Sequence, residues 1–388
     1  MTSRSNTSQI TPIVLSGFQV TCFIASSFLP LYFWVFPRIA VDAAGFDAQW
    51  SVLLLLPVGM VIGWLHAETN RLFPDVAGAD LLMAAFGKAV GWVVAATTLL
   101  LYIWFVSLSL TLFAYTLRMY FPNTPRLAML LGMVVVASFG AYKGVETLAR
   151  TASVVYPLTA IFVVFTFVFI IFQSPHHWFV HRVYHLSSVG KGIYMLIPLF
   201  MGFNITGMLS PFYTTAPRRW WYPLIAVMIG GVVMWIIFAA VQLLFGVRAM
   251  QDLGFPIQVI LQLMRLRGWI IERFGIFVVI FATTFTTVFL SNHIWGLATL
   301  LTRVCRQPEQ KNYLFLFPVA AAIATVAVLY PNEEVAFLHL RTFLVPSGWL
   351  LLVVMPLLAV ILGYIRRGFK PEFPELTKAP SNLRGRSW

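Results

Sequence analysis

The sequence predicts an all-α integral membrane protein of about ten spans. Three observations carry that reading. The 388 residues are 60% hydrophobic and only 10% charged. Their mean hydropathy is +0.86. The apolar residues fall in long runs separated by short polar connections. A soluble domain carries about 25% charged residues, so the polar surface a water-soluble globule needs is missing here. Soluble enzymes, nucleic-acid-binding domains and disordered chains are excluded at this step. At roughly 20 apolar residues per span, the length fits 10 to 12 crossings. The net charge of +13 has a cause other than nucleic acid, because Lys and Arg concentrate in loops that stay cytoplasmic. The partner this predicts is the lipid bilayer. Cys22 and Cys305 are too few for a disulfide framework or a metal cluster. The polar N-terminus lacks the pattern of a cleaved signal peptide, so the first apolar run is expected to be a retained span.

The spans follow in order. The first runs from Pro12 to Phe36, with a helical continuation to Ala44, and the second from Trp50 to Leu72. An amphipathic stretch, Leu81 to Lys88, leads into the third, Gly91 to Arg118. The fourth begins after Pro125 and ends near Tyr142. The fifth covers Arg150 to Phe172, the sixth Val189 to Phe212 and the seventh Trp221 to Phe245. The eighth covers Ile270 to Thr302, the ninth Tyr313 to Tyr330 and the tenth Phe343 to Ile365. Residues 1–365 thus form one transmembrane domain, and 366–388 a polar cytoplasmic tail. The long connection Gly246 to Trp269 holds apolar positions at helical spacing over Pro256 to Arg265. They predict a short helix on the outer face, either resting there or acting as a lid. Placing both termini inside puts a slight Lys/Arg excess on the inner side. The tail supplies that excess, so charge alone leaves the orientation open.

Ionisable residues inside a membrane are costly and functional by default. No acidic residue falls at the centre of a span, and Glu68 falls by this reading in the connection after span two. His293 is the one ionisable group placed inside a span. It either bonds a neighbouring backbone near the interface or serves a site. Two spans carry interruptions. In span one, Ser26 and Ser27 precede Pro30, and a proline within a helix removes a hydrogen bond and clashes with the preceding turn. In span six, Pro198, Gly202, Asn204, Thr206 and Gly207 lie close together. Asn204 either ties two helices together or meets a ligand. Span three carries Tyr102, Trp104, Ser107 and Ser109, and span eight carries Thr283 and Thr287 four residues apart. His176, His177, His181 and His185 cluster before span six with no acid partner, so no metal site is assigned. No nucleophile triad, phosphate loop or carboxylate pair appears. The expectation is a protein without cofactor that is not an enzyme.

Interrupted spans five apart suggest a transporter built from inverted repeats, with its site at mid-membrane. This matches the LeuT-like fold of the amino acid–polyamine–organocation superfamily, a 5+5 inverted repeat with discontinuous helices 1 and 6. Six stretches carry a closer likeness: PRIAVDAAGFDAQWSVLL (Pro37 to Leu54), RLFPD (Arg71 to Asp75), AFGKAVGW (Ala85 to Trp92), FPNTP (Phe121 to Pro125), YKGVETLARTASVVYP (Tyr142 to Pro157), and FPIQVI (Phe255 to Ile260) with IER (Ile271 to Arg273). In their order and spacing the chain resembles the B subunits of endospore germinant receptors, the GerAB-type spore germination permeases. That resemblance implies a subunit of the spore inner membrane that binds a small amino-acid-like germinant. Its partners would be an A-type membrane subunit and a C-type lipoprotein. An active transporter of amino acids or related solutes is the alternative. The sequence departs from the family at Pro30-Leu31-Tyr32, where a Gly-x-Gly break is usual, and at Asn204, where members often carry an acid. A pocket is expected between the two breaks. Its lining would be Ser26, Ser27, Pro30, Tyr32, Gly202, Phe203 and Asn204, faced by Tyr102, Thr283 and Thr287. With no opposite charge available there, the ligand is expected to be small and either neutral or zwitterionic.

Overall fold

A computed structural model describes residues 14–28, 33–73, 76–174, 183–213, 221–263, 275–308 and 311–367. Pro30 and Tyr32, His176, His177 and His181, and the tail beyond 367 lie outside them. Among the described residues all regular structure is helical. Eight helices are long and apolar enough to cross a membrane, and two shorter apolar ones, Gly17–Phe28 and Arg126–Tyr142, accompany them.

Span one is made of α1 (Gly17–Phe28) and α2 (Phe36–Ala44), which are separate helices. Phe33 to Val35 form the turn into α2. Span two is α3 (Ala48–Leu72). The short α4 (Ala79–Phe86) follows and meets α5 (Lys88–Tyr120), span three, at Gly87. Gly87 has φ +87°, a left-handed conformation that glycine adopts without steric cost. Spans four and five are α6 (Arg126–Tyr142) and α7 (Val145–Gln173).

Span six starts as α8 (Leu186–Leu196), tightens into a nine-residue 3₁₀ segment, Ile197–Ile205, and ends in α9 (Thr206–Leu209). Runs of 3₁₀ helix beyond three or four residues are uncommon. This one has Pro198, which lacks an N–H, as its second residue and contains Gly202. The close packing explains the glycine: a Cβ at Gly202 would stand 1.8 Å from the Ser27 carbonyl oxygen. The two interrupted spans therefore touch backbone to backbone.

Span seven is α10 (Tyr222–Asp252), kinked at Gly246. It runs seven residues beyond the expected end at Phe245. The predicted surface helix is α11 (Pro256–Leu263), which packs on α10, α12 and α2. Spans eight and nine are α12 (Gly275–Val304) and α13 (Asn312–Leu329). Span ten starts ten residues earlier than expected. Asn332 caps α14 (Glu333–His339) by accepting the Val335 N–H at 2.9 Å, as N-terminal amides require. Two π-helical turns then flank α15 (Val345–Trp349) before α16 (Met355–Arg367).

Glu68 is corrected by the structure. It lies inside α3 and is 3% exposed. Arg71 donates to both its oxygens, at 2.8 and 2.5 Å, and the Tyr364 hydroxyl donates to one of them. A buried carboxylate survives when it is paired and hydrogen-bonded in this way. The network ties α3 to α16. Two other ion pairs close the ends of the bundle. Arg303 of α12 holds Asp80 of α4, and Arg341 beyond α14 holds Asp42 of α2, which Arg38 also approaches.

Candidate functional site

The meeting of spans one and six is a polar knot within an aromatic core. Ser26 and Ser27 are fully buried and both donate to the Phe23 carbonyl, at 2.9 and 2.7 Å. Their lone pairs accept the Asn292 side-chain amide at 3.0 Å each. His293 lies 2.8 Å from the Ser27 carbonyl through Nε2, which therefore carries the proton. The Tyr102 hydroxyl donates to the Gly202 carbonyl at 3.1 Å. Phe28 packs against Phe200 and Phe203. His293 is enclosed by Tyr102, Phe105 and Phe289. Carbonyls released by an interrupted helix must be satisfied in hydrocarbon. Here side chains of α5 and α12 satisfy them.

Beside this knot opens a cleft of about 710 Å³ of empty space, counted out to where it reaches the surface. Its polar lining is His66, Thr69, Asn70, Thr98, Tyr102 and Asn204. Leu81 and Leu82 of α4 and Met355 of α16 are among its apolar walls. Among the described residues, no Asp, Glu, Lys or Arg side chain lines it. The Asn70 amide donates to the Thr206 carbonyl and to the Tyr213 hydroxyl, at 3.2 and 2.9 Å. Burial pushes the Tyr213 phenol well above its ordinary range, with the Asn70 hydrogen bond opposing, so it stays a hydroxyl. His66 meets Thr206 through Nδ1 at 3.4 Å and sets its ring against Phe203. Its Nε2 is buried and has no hydrogen-bond partner among the described residues. Gly207 lines the cleft, and a Cβ there would meet nothing within 4 Å.

A second cavity, about 560 Å³ of empty space, lies between α7, α10, α12 and the turn at Phe33 and Trp34. Its walls are almost wholly apolar, with Val163, Met234, Ile237 and Phe285 among them. Recognition sites combine apolar walls with a few convergent polar groups, and the first cleft has that make-up.

The structure gathers Ser26, Ser27, Gly202, Phe203 and Tyr102 at the knot, with Tyr102 also on the cleft beside Asn204. The Asn204 amide bonds the Met201 carbonyl in its own turn at 3.0 Å. Thr283 and Thr287 are not brought to the cleft. Each bonds back to the carbonyl four residues earlier, at 2.8 Å, as threonines in helices do. Their row continues to Ser291, which lies against Gly140 of α6. Pro30 and Tyr32 lie outside the described residues. His293 is not the only ionisable group inside a span, since His66 of α3 is 7% exposed. The sequence carried a signal for it: His66, Thr69 and Asn70 fall on one helical face by three- and four-residue spacing. Asn292 was signalled by its place next to His293 in an apolar run. Of the histidine group, the described His185 gives its backbone N–H to Asp47 at 2.9 Å.

The sequence profile of spore germination proteins, the spore permease family, matches residues 14–334. The chain belongs to this family. No curated protein sequence matches it. Solved structures similar to it include MhsT in complex with L-phenylalanine, with a TM-score of 0.63 at 11% identity over 92% of this chain and 97% of that one. A substrate-bound, outward-open Na⁺-coupled sialic acid symporter gives 0.61 at 12% identity, over 92% and 90%. Mhp1, a nucleobase-cation-symport-1 family transporter in a closed conformation with bromovinylhydantoin bound, gives 0.63 at 13% identity, over 91% and 80%. At such identities the likeness shows the fold. The spore permease is a LeuT-like, multi-pass membrane protein with an inverted repeat and discontinuous helices 1 and 6. Its repeat places an eight-residue helix after span two and another after span seven, α4 and α11.

Proposed function

We propose that this spore permease is the membrane subunit of a germinant receptor in the spore inner membrane. It binds a small nutrient molecule in the cleft beside the 3₁₀ segment of span six and signals through an A-type membrane subunit and a C-type lipoprotein. The observation that carries this reading is the cleft itself. It is lined by His66 of α3 and by Asn204 of the 3₁₀ segment itself, so a ligand held there bears directly on that segment. The family match supplies the germination context.

Transport is the second reading, favoured by the likeness to a Na⁺-coupled sialic acid symporter and a nucleobase-cation-symport-1 family transporter. In the described cleft no carboxylate is placed to relay a proton, which favours sensing over proton-driven uptake.

The test fills the cleft. A Cβ at Gly207 meets nothing within 4 Å, so Gly207→Leu is expected to reach native abundance in spores. Germination on a nutrient mixture to which wild-type spores respond is expected to be lost. Native abundance with an unchanged dose response would remove the cleft from the function. Uptake of that nutrient into proteoliposomes under a pH gradient would favour the transporter.

A further inference from the structure

Among the described residues, backbone groups at the two interrupted spans that a charged ligand could use are already paired. The Ser27 carbonyl is held by His293, and the Gly202 carbonyl by Tyr102. The two serine hydroxyls hold Asn292. At the end of the 3₁₀ segment, the Thr206 N–H is bonded to the carbonyls of Asn204 and Phe203. Among the described residues these backbone groups are paired, and the buried acceptors left at the knot are Asn292 Oδ1 and His293 Nδ1. The adjoining cleft has no Asp, Glu, Lys or Arg in its described lining. An ion moved from water into such a place loses its hydration without a counter-charge. A zwitterion loses it twice.

What the cleft does offer suits a different chemistry. His66 presents a buried Nε2 that makes no hydrogen bond among the described residues, close to the Leu352 backbone. Asn204 and Thr98 line the same space, and amide and hydroxyl groups can both donate and accept. The apolar walls are mainly leucine and methionine. We infer that the ligand of this cleft is an uncharged molecule, apolar on one side and edged by two or three hydrogen-bonding groups, rather than a zwitterionic amino acid. This rests on the cleft being the germinant site, and it narrows the substrate class of that site.

The test uses the full-length protein purified in detergent and follows thermal unfolding in the presence of two sets of probes. One set is uncharged: a nucleobase, a hexose and 2-hydroxy-4-methylpentanamide. The other is zwitterionic: L-leucine, which has nearly the shape of that amide, with L-serine and glycine. At least one uncharged probe is expected to raise the unfolding temperature with saturation. Gly207→Leu is expected to abolish the rise. Asn204→Ala is expected to weaken it about tenfold, the worth of one well-placed hydrogen bond. L-leucine is expected to produce no saturable rise. Stabilisation by a zwitterion that disappears in Gly207→Leu would overturn the uncharged class while leaving the cleft as the site. No saturable effect from any uncharged probe would overturn the inference outright. Should the uncharged probe bind while Gly207→Leu spores germinate normally, the ligand class stands and the receptor reading falls.

Discussion

Two cavities of this permease are alike in size and differ in their polar groups. The cleft between α3, α4, α5 and span six is edged by a histidine, two asparagines and three hydroxyl residues. The cavity between α7, α10 and α12 is edged mostly by rings and aliphatic groups, with the hydroxyls of Tyr156, Thr159 and Thr286 and no imidazole or amide. Volume alone would rank them as equals. The difference shows what a membrane protein does with space. Apolar space next to lipid is tolerated wherever helices pack imperfectly, since lipid tails are as apolar as leucine. Polar groups around a space in the membrane are costly to maintain unless something there uses them. The polar cleft adjoins the 3₁₀ segment of span six, and the other cavity adjoins the turn of span one at Phe33 and Trp34.

The largest effect is expected where the polar region is packed most tightly. Gly202→Ala drives a Cβ into the Ser27 carbonyl and should destabilise the fold by about 3 kcal/mol or more. Abundance measured by immunoblot should collapse. Normal abundance would show that the two interrupted spans do not meet as described. Next comes His293→Leu, which leaves the buried Ser27 carbonyl unpaired at a cost of about 1–3 kcal/mol. It should lower the unfolding temperature and weaken responses to every stimulus alike, because it acts on the knot and not on a ligand. A change in one stimulus only would move His293 into the site.

Filling the apolar cavity sharpens the comparison from the other side. Ala160→Leu, on the wall of that cavity, should leave the nutrient dose response within about twofold of wild type, whereas Gly207→Leu removes it. A lost response with native abundance would mean that the wrong cavity has been assigned. The smallest effect is expected at the exposed pair Glu146–Arg150, 2.5 Å apart on α7 with side chains 45% and 70% exposed. Exchanging the two charges should change stability by less than about 1 kcal/mol. A strong assembly defect would instead make this turn a partner contact.

The sequence was legible where the physics is one-dimensional. Long apolar runs place the spans, and Pro198 with Gly202 marks span six, because backbone that cannot hold a regular helix shows in residue type. Tyr102 and Asn204 were visible as polar residues in apolar runs. His66 and Asn70 share a helical face with Thr69, but that signal was masked because they lie near the end of α3, where polar residues ordinarily meet the interface. Only the fold brings α9 and α16 around them. Glu68 was hidden by the same position, since its partner Tyr364 is 296 residues away. Thr283 and Thr287 had the spacing of a site, but threonine can satisfy itself on its own helix, and spacing does not reveal that choice.

The account turns on which space the nutrient enters. Two single-cysteine proteins decide it directly, each in a chain with Cys22 and Cys305 replaced by alanine. Thr98→Cys reports from the polar cleft and Thr159→Cys from the apolar cavity. Labelling by a small thiol reagent is followed in membranes with and without the nutrient mixture that triggers wild-type spores. Protection of Thr98→Cys with no change at Thr159→Cys is the result predicted here. Protection of Thr159→Cys alone would contradict it.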